Sequence, residues 1–394
     1  MTNIWSNNKY IELTINIMLF LLGINFIHLG QLFLPLICLL LFVDRKFIFK
    51  VNNIKTFIVL CLFGISFFIF SYKLGFYAVM GFTLPMAYYI GSNMNRSNKN
   101  NLKYVIYLLA FSMSTYLLIN FAFELTQYPL QNLFAKVRRY DIWTRQLIRP
   151  TLLSVHGYIL IGTMYYLLRF EKNRLIKVIG TILFINLLIY NVAMARRTII
   201  LFIILSLLLC LFLDIFFTGN IRLNNKTIFK FLIILIVVII IICSLCYFNV
   251  FGIWDIVTST GLYDKLVSYG FKSERINYLI EGIKLVPYHL WGGQEISSII
   301  GIQIHDLWSD IYDYAGLIPW ALIVVYSLYC LKVIVNTIKL QDLSKNMKLL
   351  LINIFLIIAV SMMMEPAFTS TSVYVITAVI LVACIECKIK EIEQ

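Results

Sequence analysis

Charge is scarce in this chain. Asp, Glu, Lys and Arg together make up 13% of it, about half of what a soluble chain carries. So little polar surface cannot cover a water-exposed body of 394 residues, which excludes a soluble globular domain. Acidic residues are scarcer still, 19 against 33 basic ones, and there are only 4 histidines and 7 prolines. The histidines show no metal-ligand spacing. His28, His156 and His289 each read as a satisfied polar residue at a boundary. The eight cysteines, Cys38, Cys61, Cys210, Cys243, Cys246, Cys330, Cys384 and Cys387, all fall inside apolar runs. A zinc knuckle needs loop geometry and more ligands, so all eight read as small apolar fillers.

What fills the chain instead is hydrocarbon. Hydrophobic residues make up 61% of it, and the mean hydropathy is +0.88. The apolar runs are long enough to cross about 30 Å of bilayer. They predict twelve transmembrane helices, over 11–28, 30–43, 56–72, 74–91, 102–122, 151–168, 175–194, 198–217, 230–248, 314–331, 349–364 and 371–386. The first run reads as an uncleaved anchor. The expected fold is an all-α, polytopic integral membrane domain over 1–394, with 249–313 as one large segment outside the bilayer.

The net charge of +14 suggests nucleic acid at first sight. The basic residues sit in short loops between apolar runs, however, and that is the pattern of membrane topology. No nucleic-acid partner is expected. With the N-terminus in the cytoplasm, 21 of the 33 Lys and Arg fall in inside segments and both termini lie inside. The twelve on the outside are seven Arg and five Lys, whereas the inside set is mostly Lys. Lys136, Arg138, Arg139, Arg145 and Arg149 crowd the loop before the sixth span, and Arg196 and Arg197 mark the turn between the seventh and eighth. A planar guanidinium holds phosphate or carboxylate as a fork, whereas Lys is a hydrated point charge. Two readings stand: headgroup contacts and local ion pairs with Glu124 and Asp141, or an anionic ligand at the outer face.

Residues 249–313 contain helical signals. Ser273 can cap a helix that runs to about Val286, where Pro287 stops it. Ile276, Leu279, Ile280 and Ile283 would share one face, with Arg275 at the border. Pro287-Tyr288-His289-Leu290-Trp291-Gly292-Gly293 then predicts a sharp turn. From His305 a helix leads into the tenth span. On it His305, Trp308, Ser309 and Tyr312 share one face, and Asp306, Asp310 and Asp313 form an adjoining acidic strip. Aromatic rings beside carboxylates suit a sugar, and His suits a general base. An aromatic belt with solvated charges is the alternative.

Two stretches resemble a known family. Gly293 is followed by His305-Asp306-Leu307-Trp308-Ser309-Asp310 and then Gly316-Leu317-Ile318-Pro319. This resembles the His-Asn-x-Trp-Leu-Asp…Gly-(Ile/Leu) pattern of bacterial O-antigen and capsular polysaccharide polymerases of the Wzy type and of the related O-antigen ligases. Ala195-Arg196-Arg197-Thr198 is similar to their Ser-Arg-(Thr/Gly) turn, and Ser273-Glu274-Arg275 before an amphipathic helix also fits. The residue matching covers about 195–320. Asp306 stands where the family has Asn, Ser309 where Leu is common, and Arg196 in the Ser position.

The resemblance implies a metal-independent glycosyl transfer at the outer face of the bacterial cytoplasmic membrane, with no cofactor. The implied donor is a glycan on undecaprenyl pyrophosphate, and the acceptor is a sugar hydroxyl of a lipid-linked repeat unit. His305 would be the base, with Asp306 and Asp310 as the other catalytic candidates. Arg197, Arg196, Arg275, Arg139 and Arg145 would hold or guide the pyrophosphate, and Arg197 is favoured over Arg196 because it directly precedes Thr198. Trp308 and Tyr312 would bind sugar. Membrane lipid, a chain-length regulator and a flippase are the implied partners. A ligase that moves a finished glycan is the nearest alternative. A lipid-linked oligosaccharide flippase or other transporter is the alternative from another class.

Overall fold

In a computed structural model, the described residues are 9–44, 49–71, 75–94, 101–128, 139–218, 275–301, 306–365, 368 and 372–393. Among the described residues the fold is all-α apart from one two-stranded hairpin. Seven helical stretches among the described residues are long and apolar enough to cross a membrane: Ile54–Ser71, Leu102–Gln127, Pro150–Phe170, Arg174–Ala193, Leu317–Lys339, Lys345–Met364 and Ser372–Glu393. Three shorter apolar stretches, Tyr10–Gly23, Gly30–Asp44 and Thr198–Leu213, accompany them. The expected span 230–248 lies outside the described residues.

In chain order the helices begin with α1 (Lys9–Gly23), α2 (Phe33–Asp44), α3 (Ile54–Ser71), α4 (Phe76–Val79), α5 (Thr83–Met94) and α6 (Asn101–Gln127). The strands β1 (Arg139–Tyr140) and β2 (Leu147–Ile148) follow, then α7 (Pro150–Ser154), α8 (Tyr158–Phe170), α9 (Arg174–Ala193) and α10 (Arg197–Thr218). After the segment outside the described residues come α11 (Arg275–Leu285), α12 (Glu295–Ile300), α13 (Leu307–Ala315), α14 (Leu317–Lys339), α15 (Lys345–Met364) and α16 (Ser372–Glu393).

The expected spans match these helices to within a few residues in most cases, and the departures have local causes. The run 11–28 stops being helical at Gly23, because Asn25, Ile27 and His28 all take positive φ (45°, 52° and 58°) and turn the chain through two 3-10 segments. The run from 314 extends to Lys339, as Val333, Ile334, Val335 and Ile338 continue the apolar pattern past Lys332, whose long stem can carry its charge outward.

Helix α16 is the centre of the bundle, with 94% of its apolar stretch buried. It packs most intimately on α5. A Cβ at Gly91 would stand 2.3 Å from the Ile380 carbonyl oxygen, so only glycine permits this crossing, in the way that small residues let membrane helices approach. Helices α8 and α15 pack in the same intimate way. Neutral polar links tie α15 to α8 and α10 at depth: Asn353 Nδ2 donates to the Gly162 carbonyl and to Ser206 Oγ, each at 2.8 Å.

The contacts sort the polar residues to two ends. At one end, Asn52 donates to the Ala383 carbonyl at 2.7 Å and Lys103 pairs with Glu171 at 2.8 Å. Burial opposes ionisation of Glu171, but the Asn173 backbone N–H, Lys103 and Tyr107 outweigh it and hold its pKa at about 2. The other end carries His28, the hairpin, Arg196, Glu365 and the 275–316 segment.

Candidate functional site

The site end is built around the hairpin. Arg139 pairs with Ile148 and Tyr140 with Leu147 in antiparallel register. Asp141 closes the turn: its N–H donates to the Gln146 carbonyl at 2.9 Å, and its own carbonyl accepts from Arg145 N–H at 2.8 Å. Arg145 takes φ 55°, and it is the hairpin's side-exposed arginine. The Asp141 carboxylate accepts from Trp143 N–H at 2.8 Å, from Thr144 N–H at 2.9 Å and from the Tyr116 hydroxyl. His28 Nε2 adds a contact at 2.9 Å. Burial pushes the Asp141 pKa upward, yet the hydrogen bonds from His28, Tyr116 and Thr144 outweigh it, and the pKa falls to about 2.

Arg139 and Arg196 sit inside the protein at this end. Arg139 is 1% exposed. Its Nη1 lies 3.3 Å from Glu124 Oε2, and its Nη2 donates to the Ala193 carbonyl. Glu124 also accepts from Tyr140 N–H at 3.1 Å. Burial lowers the pKa of Arg139, against the pull of Glu124. Arg196 lies in the turn between α9 and α10, which reverses on Ala195 at φ 54°. Its guanidinium donates to Thr151 Oγ1 at 2.9 Å and pairs with Glu365. Burial disfavours this charge, but Glu365 and Tyr158 outweigh burial and raise its pKa. Beneath them the His156 ring lies 4.7 Å from that of Tyr116; its Nδ1 donates to the Leu152 carbonyl at 2.9 Å, and its Nε2 has no hydrogen-bond partner among the described residues.

The described parts of the 275–316 segment, 275–301 and 306–316, are folded rather than loose. Helix α11 ends at Leu285, as Pro287 dictates, and a 3-10 turn follows over Val286–Tyr288. The turn 290–294 is then stitched to the end of α13. Leu317 N–H donates to the Leu290 carbonyl at 2.9 Å, Gly293 N–H to the Tyr314 carbonyl at 3.1 Å, and Gln294 N–H to the Asp313 carbonyl at 2.7 Å. Gly292 and Gly316 make this possible. Each has φ 77°, and a Cβ on either would strike the other's neighbouring backbone within 2.7 Å.

The acidic strip of α13 is buried, not solvated: Asp306, Asp310 and Asp313 are 8%, 1% and 3% exposed. Asp306 and Asp313 carry structural bonds. Asp306 caps its own helix, accepting from Ser309 N–H at 2.8 Å. Asp313 caps α12 from outside, accepting from Ile296 N–H and Ser297 N–H at 3.1 Å each and from Ser297 Oγ at 2.5 Å. Burial raises the pKa of both.

The aromatic candidates are engaged too. Tyr312 is buried and its hydroxyl donates to the Val286 carbonyl at 2.8 Å. The Trp308 indole N–H donates to Ser327 Oγ on α14 at 3.1 Å. Trp291, by contrast, is 66% exposed and stacks on Phe70 at 5.6 Å. Close by, His289 Nδ1 meets Glu295 Oε2 at 2.6 Å.

The fold therefore brings Arg139, Arg145 and Arg196 to one end. Helix α13, with Asp306, Asp310, Trp308 and Tyr312, packs on α3, α14 and α15, and α15 is closed at its C-terminus by Glu365. Arg197 and Arg275 open α10 and α11; their side chains, and the whole of His305, lie outside the described residues.

Sequence reading passed over Glu365, Thr151 and Tyr116. Glu365 did leave a trace. A carboxylate at the C-terminal end of a helix faces the negative pole of the helix dipole, so a cation had to be near. Among the described residues, no group of three His, Cys, Asp or Glu side chains could hold a metal ion. Compared with known proteins, the chain matches no family model and no curated sequence.

Proposed function

We propose that this protein is a membrane glycosyltransferase that polymerises lipid-linked glycan repeat units. The donor is a glycan on a polyprenyl pyrophosphate, and the acceptor is a sugar hydroxyl of a second lipid-linked unit. The reading rests on the pattern of residues 195–320 that resembles the polysaccharide polymerases. The observation that carries it furthest is the gathering of the Ala195–Thr198 turn, the arginine-bearing hairpin and the acidic, aromatic helix α13 at one end of the bundle.

In this reaction the acceptor oxygen forms a bond to the anomeric carbon, the bond from that carbon to the pyrophosphate breaks, and the acceptor proton passes to a base. His305 takes that proton, with Asp306 as the competing base. Arg197 and Arg275 meet the charge that develops on the leaving pyrophosphate. Arg139 and Arg196 act one step back. Held by Glu124 and Glu365, they fix the hairpin and the α9–α10 turn that present the remaining arginines.

Twelve crossings complete the proposal: the seven long spans, the three shorter apolar helices, the α4–α5 hydrophobic stretch and the run 230–248. Both termini then lie in the cytoplasm and the site end faces outward. Labelling Ser298→Cys with an impermeant thiol reagent, in a cysteine-free background, tests that orientation; labelling only after lysis contradicts it. Among the described residues, buried charges stand at or near the ends of the apolar stretches while Asn353 and Ser206 serve at depth. A transporter is expected to bury charge nearer the midplane.

The size of surface glycan in a deletion strain decides the function. Single repeat units left on lipid are expected. Long chains stranded on lipid point to a ligase, and repeat units trapped on the cytoplasmic leaflet point to a flippase.

A further inference from the structure

At the end opposite the hairpin, α14, α16 and the start of α3 enclose a pocket of about 160 Å³. Asn53, whose side chain caps α3, borders it on one side. Helix α14 brings Lys332 and Asn336 to it, and α16 brings Glu386, Lys390 and Glu393. The Asn52 hydrogen bond to the Ala383 carbonyl joins the same two stretches of chain.

Part of this charge is already spent. Glu386 is 4% exposed and accepts from the Tyr88 hydroxyl. Lys390 Nζ stands 3.5 Å from its other oxygen and donates to the Asn52 carbonyl. Asn53 Nδ2 donates to the Tyr329 hydroxyl at 3.3 Å. One cation, one anion and one amide are left over. Lys332, Glu393 and the Asn336 side chain have no partner among the described residues, although they line one small space.

That remainder selects the occupant. A simple anion would meet Lys332 but also Glu393 beside a buried carboxylate, and a simple cation would meet Lys332 and Lys390. A group that carries both charges close together satisfies both free side chains. The surroundings of Lys332 point to a lipid. It lies in α14, a membrane-crossing stretch, and Leu328 and Val335, one turn to either side of it, are exposed along that helix. A group held at Lys332 therefore stands at the edge of an apolar surface, against which an attached acyl chain can lie.

We propose that this pocket binds the phosphoethanolamine headgroup of a phospholipid, with its phosphate on Lys332 and Asn336 and its ammonium on Glu393. A primary ammonium brings the N–H donors that a carboxylate accepts. A choline group has none, and a glycerol headgroup has no positive charge. The pocket is at the opposite end from the proposed transfer centre, so its test does not depend on that reading.

Purified full-length protein, stripped of lipid in detergent, is incubated with equal amounts of phosphatidylethanolamine, phosphatidylglycerol and phosphatidylcholine. Native mass spectrometry counts the lipid retained per chain. Wild type is expected to retain one phosphatidylethanolamine. Glu393→Gln is expected to lose the preference over phosphatidylglycerol, because the phosphate contact remains. Lys332→Gln is expected to lose retention of all three. Both side chains are exposed, and both variants are expected to melt with wild type. Glu391→Gln makes the same change of charge on α16 outside the pocket and is expected to keep the preference.

Soluble phosphoethanolamine separates the headgroup from the lipid. It is expected to displace phosphatidylethanolamine only in large excess, since it lacks the acyl chains. Displacement at an equal amount assigns the pocket to a free dipolar ion and overturns the lipid reading. No preference in wild type, an unchanged preference in Glu393→Gln, or an equal loss in Glu391→Gln also overturns the proposal.

Discussion

His28 Nε2 stands 2.9 Å from Asp141 Oδ1, which ties the turn after the first helix to a hairpin more than a hundred residues further on. Asp141 has its pKa held at about 2 because His28, Tyr116 and the Thr144 N–H favour its ionised form more than burial opposes it. A depressed carboxylate stabilises the fold above its unfolded pKa, near 4, and loses that contribution as pH falls toward 2. The contribution is on the order of 2 kcal/mol. Unfolding in detergent, followed from neutral pH to about pH 2, is expected to show this loss in wild type. Asp141→Asn is expected to start lower at neutral pH and to show a flatter dependence across that window. An unchanged melting curve in Asp141→Asn would mean that the hairpin is held by its other contacts.

Arg196 and Arg197 are adjacent in sequence but are predicted to fail differently. Arg196→Ala removes the guanidinium that faces the buried carboxylate of Glu365. Breaking a buried pair from one side costs about 3–5 kcal/mol, so this variant is expected to melt early or accumulate poorly. Arg196→Met with Glu365→Leu is expected to recover much of the loss, since both charges go together. Arg197→Lys is expected to leave melting unchanged while glycan output falls, because Lys keeps the charge but not the two-pronged grip on phosphate oxygens. Lys339→Ala, at the other end of the protein, is the matched control. Equal glycan output from Arg197→Lys and wild type argues against a pyrophosphate clamp at that position.

The membrane helices were legible because their signal is local: an apolar run announces itself, although nothing in the run 11–28 marked the stop at Gly23 that the positive-φ residues after it impose. The helix α11 and the glycine turn after it were legible for the same reason. The ion pairs were legible only in part. Glu124 stood out as a candidate partner for the hairpin arginines because it is close in sequence, and Arg139 does pair with it. Glu365 lies 169 residues from Arg196, and no pattern along the chain connects them. The burial of the acidic strip was missed because a helical wheel shows which residues share a face, not what covers that face. Asp313 looks like a solvated charge in sequence, yet it caps a helix that only the fold brings to it.

Gly293 and Gly316 separate crowding from backbone strain. Both take positive φ, at 89° and 77°, but nothing lies within 4 Å of a Cβ on Gly293, whereas a Cβ on Gly316 would stand 2.3 Å from the Leu290 carbonyl oxygen. Gly293→Ala is expected to cost only the conformational penalty, on the order of 1 kcal/mol. Gly316→Ala is expected to cost more and to part the 290–294 turn from α13. Hydrogen exchange over 290–301 reads the difference: faster exchange there in Gly316→Ala, with the spanning helices unchanged. Equal exchange in the two variants means that the chain can shift to accept the methyl group.

The proton acceptor of the proposed transfer is the sharpest test of the whole reading. If His305 is the base, it works in its neutral form, so transfer should rise with pH through the histidine range. His305→Gln keeps a hydrogen-bonding side chain but cannot take a proton at neutral pH, and the rate is expected to fall by roughly 10²–10⁴-fold. Asp306 is the competitor, because burial raises its pKa and brings it closer to a working base. One of its oxygens caps Ser309 N–H at 2.8 Å. Asn caps a helix about as well as Asp, so Asp306→Asn removes the charge while keeping α13 in place. Asp310→Asn completes the set. Repeat-unit transfer is measured in membranes matched for expression, with lipid-linked repeat units and protein level checked in each. Loss in His305→Gln alone assigns the base to the histidine. Loss in Asp306→Asn or Asp310→Asn, with His305→Gln near wild type, moves the base to that carboxylate and leaves His305 to position the acceptor. If all three transfer at the wild-type rate, the catalytic reading of this helix fails and the transporter alternative takes its place.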